Sequence, residues 1–581
     1  MKPFIPFKAK TFPRIVIAYI LILLSLTACA REKASLPTEA TPSPAFSKNG
    51  MVATQEALAT KVGVQILKQG GNAVDAAVAI GFTLAVTLPQ AGNLGGGGFM
   101  IAHIAKTGET VAIDYREMAP ALATQDMHLD EHGNPVSERS QFTHLAVGVP
   151  GTVAGLSYAL KKYGTLTLRQ VMSPAIHLAE KGFHVTVPLA DSFKKHKKAL
   201  LRWPETTKIF FKPDGSFYEP GDLLVQKDLA VSLKQIAKEG PRAFYQGAIA
   251  EKLAAEMKSH DGLITLADLQ NYRVVRREPV RGTYRGYEIV SMPPPSSGGI
   301  HLIQMLNILE GYPLRSLGAG NAETLHLLAE TMKLAYADRS QHLGDPKFWK
   351  VPGRGLTSKA YAENLKKLIQ ADKAQPSKEI LPGDPSPYES PQTTHFSVMD
   401  GAGNAVSNTY TLNFGYGTGI VAKGTGILLN NQMDDFSSKP GVPNAYGLVG
   451  GEANAIQPMK RPLSSMTPTL VFKAGKPILA TGSPGGSRII TSTLQFLLNV
   501  LDHKMNIDSA TRAPRIHHQW LPDWLEMEPG FKPETLLALA EKGHLVVETK
   551  PFGSTQSILR TKKGFYGASD QRRPGALAQG Y

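Results

Sequence analysis

Residues 371–392, ADKAQPSKEILPGDPSPYESPQ, contain five prolines and no periodic apolar face. Proline fixes φ and removes a backbone donor, so neither a helix nor a central strand can run through them. A strand pattern begins immediately afterwards. HFSVMD and NAVSNTYTL alternate apolar and polar residues, and Asp400-Gly401-Ala402-Gly403 supplies the turn between them. The proline-rich stretch reads as an exposed surface segment, either a linker or a processing site. The first residues beyond it are Thr393 and Thr394. A strand that opens with threonine behind a cuttable segment suits an N-terminal nucleophile. Cleavage would free an α-amino group beside the threonine hydroxyl. That amine has a reference pKa near ~7.7–8.0, so part of it is neutral at pH 7. It can take the hydroxyl proton as the oxygen attacks a carbonyl. Spacing alone leaves Thr393 and Thr394 equal.

The chain before this point predicts alternating helices and strands. Residues 51–88 carry helical signals, with Gly70-Gly71 as a stop and Asn72 as the N-cap of a second, small-residue helix. FMIAHIA and ETVAIDY, separated by Lys106-Thr107-Gly108, predict a hairpin. Residues 153–182, 229–258 and 320–345 look mainly helical, and no fixed-period repeat is present. Glycine (55) and proline (41) exceed their usual shares among 581 residues, as in a turn-rich α/β or α+β enzyme. The net charge of +15 is scattered among 48 acids without a nucleic-acid motif, so no nucleic-acid partner is expected. The densest basic run, Lys194, Lys195, Lys197 and Lys198, reads as a solvated helix face.

Residues 1–28 form a basic stretch followed by the short apolar run Ile15–Leu26, too short for a membrane span and suited to an export signal. Leu26-Thr27-Ala28-Cys29 resembles the lipobox of bacterial lipoproteins, in which the cysteine becomes N-terminal and acylated. Cys29 is the only cysteine, which excludes an intrachain disulfide, a cysteine zinc site and a thiol nucleophile in the folded region. Residues 29–48 read as a lipidated tether. Ala30 after the cysteine points to the outer membrane, with the protein facing the periplasm.

From Thr393 onward the chain resembles the γ-glutamyltransferase (γ-glutamyltranspeptidase) family. The resemblance rests on TTHFSV, GNAVSNTYTLN, GILLNNQMDDFS (426–437), KPGVPNAYGLVGG (439–451), KRPLSSMTPT (460–469), TGSPGGSRII (481–490), APRIHHQWLP (513–522) and YGASDQRRPGA (566–576). Upstream, NLGGGGFM, DYREMAP and PPPSSGGIH also fit. The resemblance implies an N-terminal-nucleophile hydrolase fold, an α/β sandwich of four layers αββα. It implies a precursor that cuts itself between Gln392 and Thr393. Residues 49–392 would form a large subunit and 393–581 a small catalytic one, joined as an intertwined heterodimer.

By the same resemblance Thr393 is the nucleophile, Thr411 orients it, and Gly485 and Gly486 form the oxyanion hole. Arg116, Ser464 and Ser465 grip the substrate's α-carboxylate. Asn413, Gln432 and Asp435 hold its α-ammonium, and Asp434 is structural. Tyr446 belongs to a lid. The expected substrates are glutathione and other γ-glutamyl compounds, with water, amino acids or dipeptides as acceptors. No metal or cofactor is implied. His517-His518 makes a poor chelator without further ligands, and Ser483 does not sit in a nucleophile elbow. The rivals are a glutaryl or cephalosporin acylase on the same fold, and a non-catalytic surface lipoprotein.

Overall fold

Strand Gly97–Ile104 is buried along nearly its whole length and divides its side chains between two cores. Met100 and Ala102 join Val52, Val398 and Val406 in one cluster. Phe99 and Ile101 join Met51, Ala112 and Met399 in another, where they meet Val290, Leu470, Ala480 and Ile558 of a different sheet. A strand apolar on both faces must be covered on both. Here one cover is a second sheet and the other a layer of helices.

The computed structural model describes residues 43–385 and 395–581. Pro44–Tyr581 forms one compact unit. Its inner sheets each have seven strands. One orders Leu577–Gly580, Gly50–Thr54, Phe396–Asp400, Ala405–Thr411, Gly97–Ile104, Glu109–Tyr115 and Val275–Arg277. The other orders Ala45–Ser47, Gly564–Ser569, Gln556–Thr561, Lys476–Thr481, Thr469–Lys473, Tyr287–Ser291 and Val280–Tyr284. Helices Ala57–Lys68, Ala73–Thr87, Thr152–Tyr163 and Leu168–Lys181 cover the first sheet. Helices Gly298–Glu310, Ala322–His342 and Arg488–Leu501 cover the second. The layers run helix, sheet, sheet, helix, as the αββα expectation required. Each sheet contains strands from both sides of residue 393.

The two predicted hairpins form. Phe396–Asp400 pairs antiparallel with Ala405–Thr411, with Gly403 at φ 99° in the turn. Gly97–Ile104 pairs with Glu109–Tyr115, with Gly108 at φ 72°. Asn72 caps Ala73–Thr87 in a capping box with Asp75. Asp400, at the end of a central strand, accepts from the Ala73 amide at 2.9 Å and so fixes that helix to the sheet.

Two readings need correction. The helical reading of 51–88 holds only from Ala57, because Gly50–Thr54 is a strand paired with Phe396–Asp400 and Leu577–Gly580. Burial between the two cores overrides the local helical spacing there. Glu56 caps the helix instead, accepting from the Leu58 and Ala59 amides at 2.8 and 2.9 Å. The proline-rich segment is also not free along its described part, 371–385. Ser377 donates to Asp523, Gly383 donates to Asp338, and Lys333 donates to the Gln375 carbonyl. The lysine run 194–198 is solvent-exposed, as expected. Cys29, Gln392, Thr393 and Thr394 lie outside the described residues. Among the described residues no helix is long and apolar enough to cross a membrane.

Candidate active site

Strand Ala405–Thr411 delivers the first group of site residues. At its end the Thr411 hydroxyl accepts from the Asn413 amide at 2.8 Å. Asn413 adopts φ 78°, a left-handed conformation that asparagine tolerates better than most residues, and it turns the chain out of the sheet. Its Nδ2 donates to the Asn431 carbonyl at 3.0 Å. Asn413 is thereby tied to the turn Gln432–Asp435.

Tyr446 closes over this corner. Its hydroxyl lies 2.9 Å from both Oδ1 and the backbone oxygen of Asn413. Its ring meets Phe414 edge-on at 5.4 Å. Asn444 Oδ1 accepts from the Tyr446 and Leu448 amides, which holds the loop in a tight turn. The Tyr446 ring lies across Gly486, where a Cβ would stand 2.7 Å from it. Gly485 and Gly486, at φ 139° and 59°, lead into helix Arg488–Leu501. Backbone N–H groups at such a helix start favour negative charge. Thr411, Asn413, Tyr446, Gly485 and Gly486 all line one cavity of about 820 Å³. The ring of His395, the first residue described after the gap, packs on Gly482 close to this turn.

The second group is buried and bonded to itself. Arg116 follows strand Glu109–Tyr115 and is wholly buried. Its Nη2 donates to Asp435 Oδ2 at 2.5 Å, and Gln432 Nε2 reaches the same oxygen at 2.6 Å. Burial pushes the Asp435 carboxyl up, against the pull of Arg116 and Gln432. Leu463 directs its carbonyl at Arg116 Nη2, 3.4 Å away, and leads into buried Ser464 and Ser465. Asn454 bonds the Asp435 carbonyl and the Leu463 amide, joining the two segments. Asp434 keeps separate company. It accepts from Ser140 at 2.6 Å, and burial raises its carboxyl to about 6.

Among the described residues, five buried atoms around this ion pair have no hydrogen bond: Arg116 Nη1, a donor, and the acceptors Gln432 Oε1, Asp434 Oδ2 and both Glu117 carboxylate oxygens. The nearest acid to Nη1 is Glu117, 3.5 Å away. Buried polar atoms are rarely left unpaired.

The residues singled out for other chemistry are engaged structurally. His517 contacts Thr491 and Gln519, and His518 contacts Asp523 and the Trp520 amide. Ser483 donates to the Pro484 carbonyl and accepts from the Ser554 amide.

The gamma-glutamyltranspeptidase family profile matches residues 59–580, nearly all of the described chain. The chain belongs to the gamma-glutamyltranspeptidase family. It is 58% identical over 539 residues to the glutathione hydrolase proenzyme of Escherichia coli strain K12, covering 93% of each chain. It is 48% identical to the glutathione hydrolase proenzyme of Pseudomonas sp. strain A14, covering 93% of this chain and 96% of that one. Among solved structures it resembles the cephalosporin acylase of Bacillus halodurans, with a TM-score of 0.83 and 28% identity over 95% of this chain and 99% of that one.

In this member of the gamma-glutamyltranspeptidase family, sequence reading missed the support for Arg116. Asp114 accepts from the Arg116 amide, Arg277 and Arg461. Arg461 and Tyr272 in turn donate to the Arg116 carbonyl at 2.6 and 2.8 Å. It also missed Glu117, whose carboxyl burial raises to about 7 despite Arg116. The DYRE tetrapeptide offered a signal for Asp114 and Glu117. Arg461 stood inside the quoted motif KRPLSSMTPT without being singled out, and nothing local marked Tyr272.

Proposed function

We propose that the chain is a self-cleaving γ-glutamyl hydrolase and transferase acting on glutathione and related γ-glutamyl compounds. The observation that carries this reading is that Arg116 and Gln432 both bind Asp435 Oδ2 while Arg116 Nη1 and Gln432 Oε1 keep no hydrogen bond among the described residues. A γ-glutamyl group ends in an α-carboxylate and an α-ammonium. The carboxylate would satisfy Arg116 Nη1, with Ser464 and Ser465 as neighbours, and the ammonium would satisfy Gln432 Oε1 and Asp435. A zwitterion can thus enter a buried ion pair without leaving a net buried charge. Asn413 and the Tyr446 lid would close over it.

The hydroxyl of Thr393 would attack the γ-carbonyl, with its own freed amine taking the proton. The amide nitrogen leaves with that proton, giving a γ-glutamyl ester, and water or an amino acid or peptide then takes the acyl group. Gly485 and Gly486 would receive the oxyanion. The relatives' designation as proenzymes supports a processed precursor, and we place its cut at Gln392–Thr393.

An acylase reading draws support from the likeness to cephalosporin acylase. An acylase for glutaryl groups, however, has no use for an ammonium acceptor such as Gln432 Oε1. Parallel assays on γ-glutamyl and glutaryl anilides, with and without an acceptor dipeptide, decide between them. The γ-glutamyl anilide should be strongly preferred. Equal rates, or preference for the glutaryl compound, would overturn the proposal, and no turnover of either would favour a non-catalytic role.

Gly486→Ala tests the oxyanion turn. The new Cβ meets the Tyr446 ring at 2.7 Å, and φ 59° strains any side chain. Left-handed backbone costs roughly 1–2 kcal/mol, so kcat/KM on the γ-glutamyl anilide should fall about tenfold or more with the fold retained. Unchanged kcat/KM would remove this turn from the site.

We place the protein at the bacterial cell envelope, facing the periplasm and lipid-anchored to the outer membrane through Cys29. Wild type should partition with membranes, and signal-cleaved Cys29→Ser should be soluble. Equal membrane partitioning of both would refute the anchor.

A further inference from the structure

His144, Glu256 and His260 meet on the surface of the helical layer, and none of them belongs to the cavity or the Arg116 cluster. His144 lies in the short turn His144–Ala146. Glu256 is in the last turn of helix Ala248–Ser259, and His260 caps it. His144 Nε2 stands 3.1 Å and His260 Nδ1 3.2 Å from the same oxygen, Glu256 Oε1. The three ligand atoms all lie within 4.8 Å of one another.

These separations resemble those between ligands on one small cation. Zinc bonds imidazole nitrogen and carboxylate oxygen at about 2.0–2.2 Å, which sets neighbouring ligand atoms of a tetrahedron about 3.3 Å apart. Two imidazoles and one carboxylate are also a ligand set used for zinc with a coordination position left open. We propose that His144, Glu256 and His260 bind a divalent transition cation of the zinc type, in a site separate from catalysis.

The surroundings fix the ligands. Glu256 Oε2 accepts from the Lys423 amide at 3.1 Å, which orients the carboxylate from outside the ligand set. Trp203 packs edge-on against both imidazoles, at 5.1 and 5.8 Å. The imidazoles lie parallel at 4.5 Å, so the exposed His260 has to turn out of the stack to bring its ring plane onto a shared cation. His144 and Glu256 are buried, while the His260 side chain is 43% exposed and gives a cation a way in. Without a cation, His260 Nδ1 also contacts Ser259 Oγ and the Glu256 carbonyl, bonds it would exchange on binding. Lys423 follows the proposed cut and Glu256 precedes it, so a bound cation would brace a contact between the two fragments.

A second trio, His326, Glu330 and His544, is fully buried. There Lys333 Nζ already stands 2.6 Å from Glu330 Oε1 and donates to the Gln375 carbonyl. A cation occupies that position covalently, as part of the chain, and a metal would have to displace it.

The test uses the full chain without an affinity tag, treated with chelator and titrated calorimetrically with zinc sulfate. Wild type should take up one zinc ion and melt at higher temperature when loaded. His260→Ala removes an exposed ligand without opening a core cavity, and it should weaken that binding about tenfold or more. His132→Ala, at another exposed histidine, should bind as wild type does. No uptake by wild type, or identical titrations of wild type and His260→Ala, would overturn the proposal.

Discussion

Thr393→Ala should run as one uncut chain near 60 kDa and show no activity, whereas wild type should separate into fragments of roughly 39 and 20 kDa, given 62.7 kDa for the whole. The same oxygen acts twice in this account. In the precursor it attacks the Gln392 carbonyl, and the resulting ester hydrolyses. In the mature protein it attacks the substrate, now assisted by its own amine. Thr393→Ser keeps the oxygen and should still cut, with slower turnover because the methyl that restricts the rotamer is gone. Thr394→Ala should cut normally, and the small fragment should begin Thr-Thr-His-Phe. A cut Thr393→Ala chain in a protease-free preparation would show that the hydroxyl is not the agent. A fragment beginning at Thr394 would shift the nucleophile by one residue.

Breaking the Arg116–Asp435 bridge should have the next largest effect. Arg116→Ala leaves Asp435 buried without its partner at 2.5 Å, and removing one member of such a pair costs roughly 3–5 kcal/mol. Its kcat/KM on a γ-glutamyl anilide should fall at least about 100-fold. Arg116→Lys should recover little, since an ammonium cannot supply both Nη1 and Nη2 in the guanidinium plane. Asp435→Asn is the sharper variant because it keeps the shape and removes only charge. It should impair γ-glutamyl anilide and spare glutaryl anilide, which has no ammonium to pair. Equal losses on both compounds would mean that Asp435 serves the fold alone. Wild-type kcat/KM in Arg116→Ala and Asp435→Asn would remove both from the pocket.

Much of this architecture could be read from local pattern. The hairpin 396–411 was legible because its turn, Asp400-Gly401-Ala402-Gly403, is chemically explicit and its strands alternate. Helix Ala73–Thr87 was legible from Asn72 and its small residues. Strand Gly50–Thr54 was not. Met51 and Ala53 face the inter-sheet core while Val52 faces the helices, a partition set by partners as distant as Leu577–Gly580. The described part of the proline-rich segment was misread for a similar reason, since Asp523, Asp338 and Lys333 come from distant parts of the chain.

The site divided in the same way. The candidate site residues were named through family resemblance; the structure gathers Thr411, Asn413, Tyr446, Gly485 and Gly486 around one cavity and Arg116, Gln432 and Asp435 in a buried cluster. That Arg116 and Asp435, 319 residues apart, bond directly to each other was invisible in sequence. So was the trio His144, Glu256 and His260, whose first two members stand 112 residues apart. Contacts of this kind follow from how the layers stack, and no window of sequence contains them.

In the proposed mechanism Thr393 carries the acyl group. Mixing the mature protein briefly with a γ-glutamyl substrate, quenching in acid and mapping the peptides by mass spectrometry tests this. One γ-glutamyl adduct is expected, an ester on the peptide that begins at Thr393, and none in Thr393→Ala. An adduct on Thr394, on Ser483 or on any other side chain would contradict it.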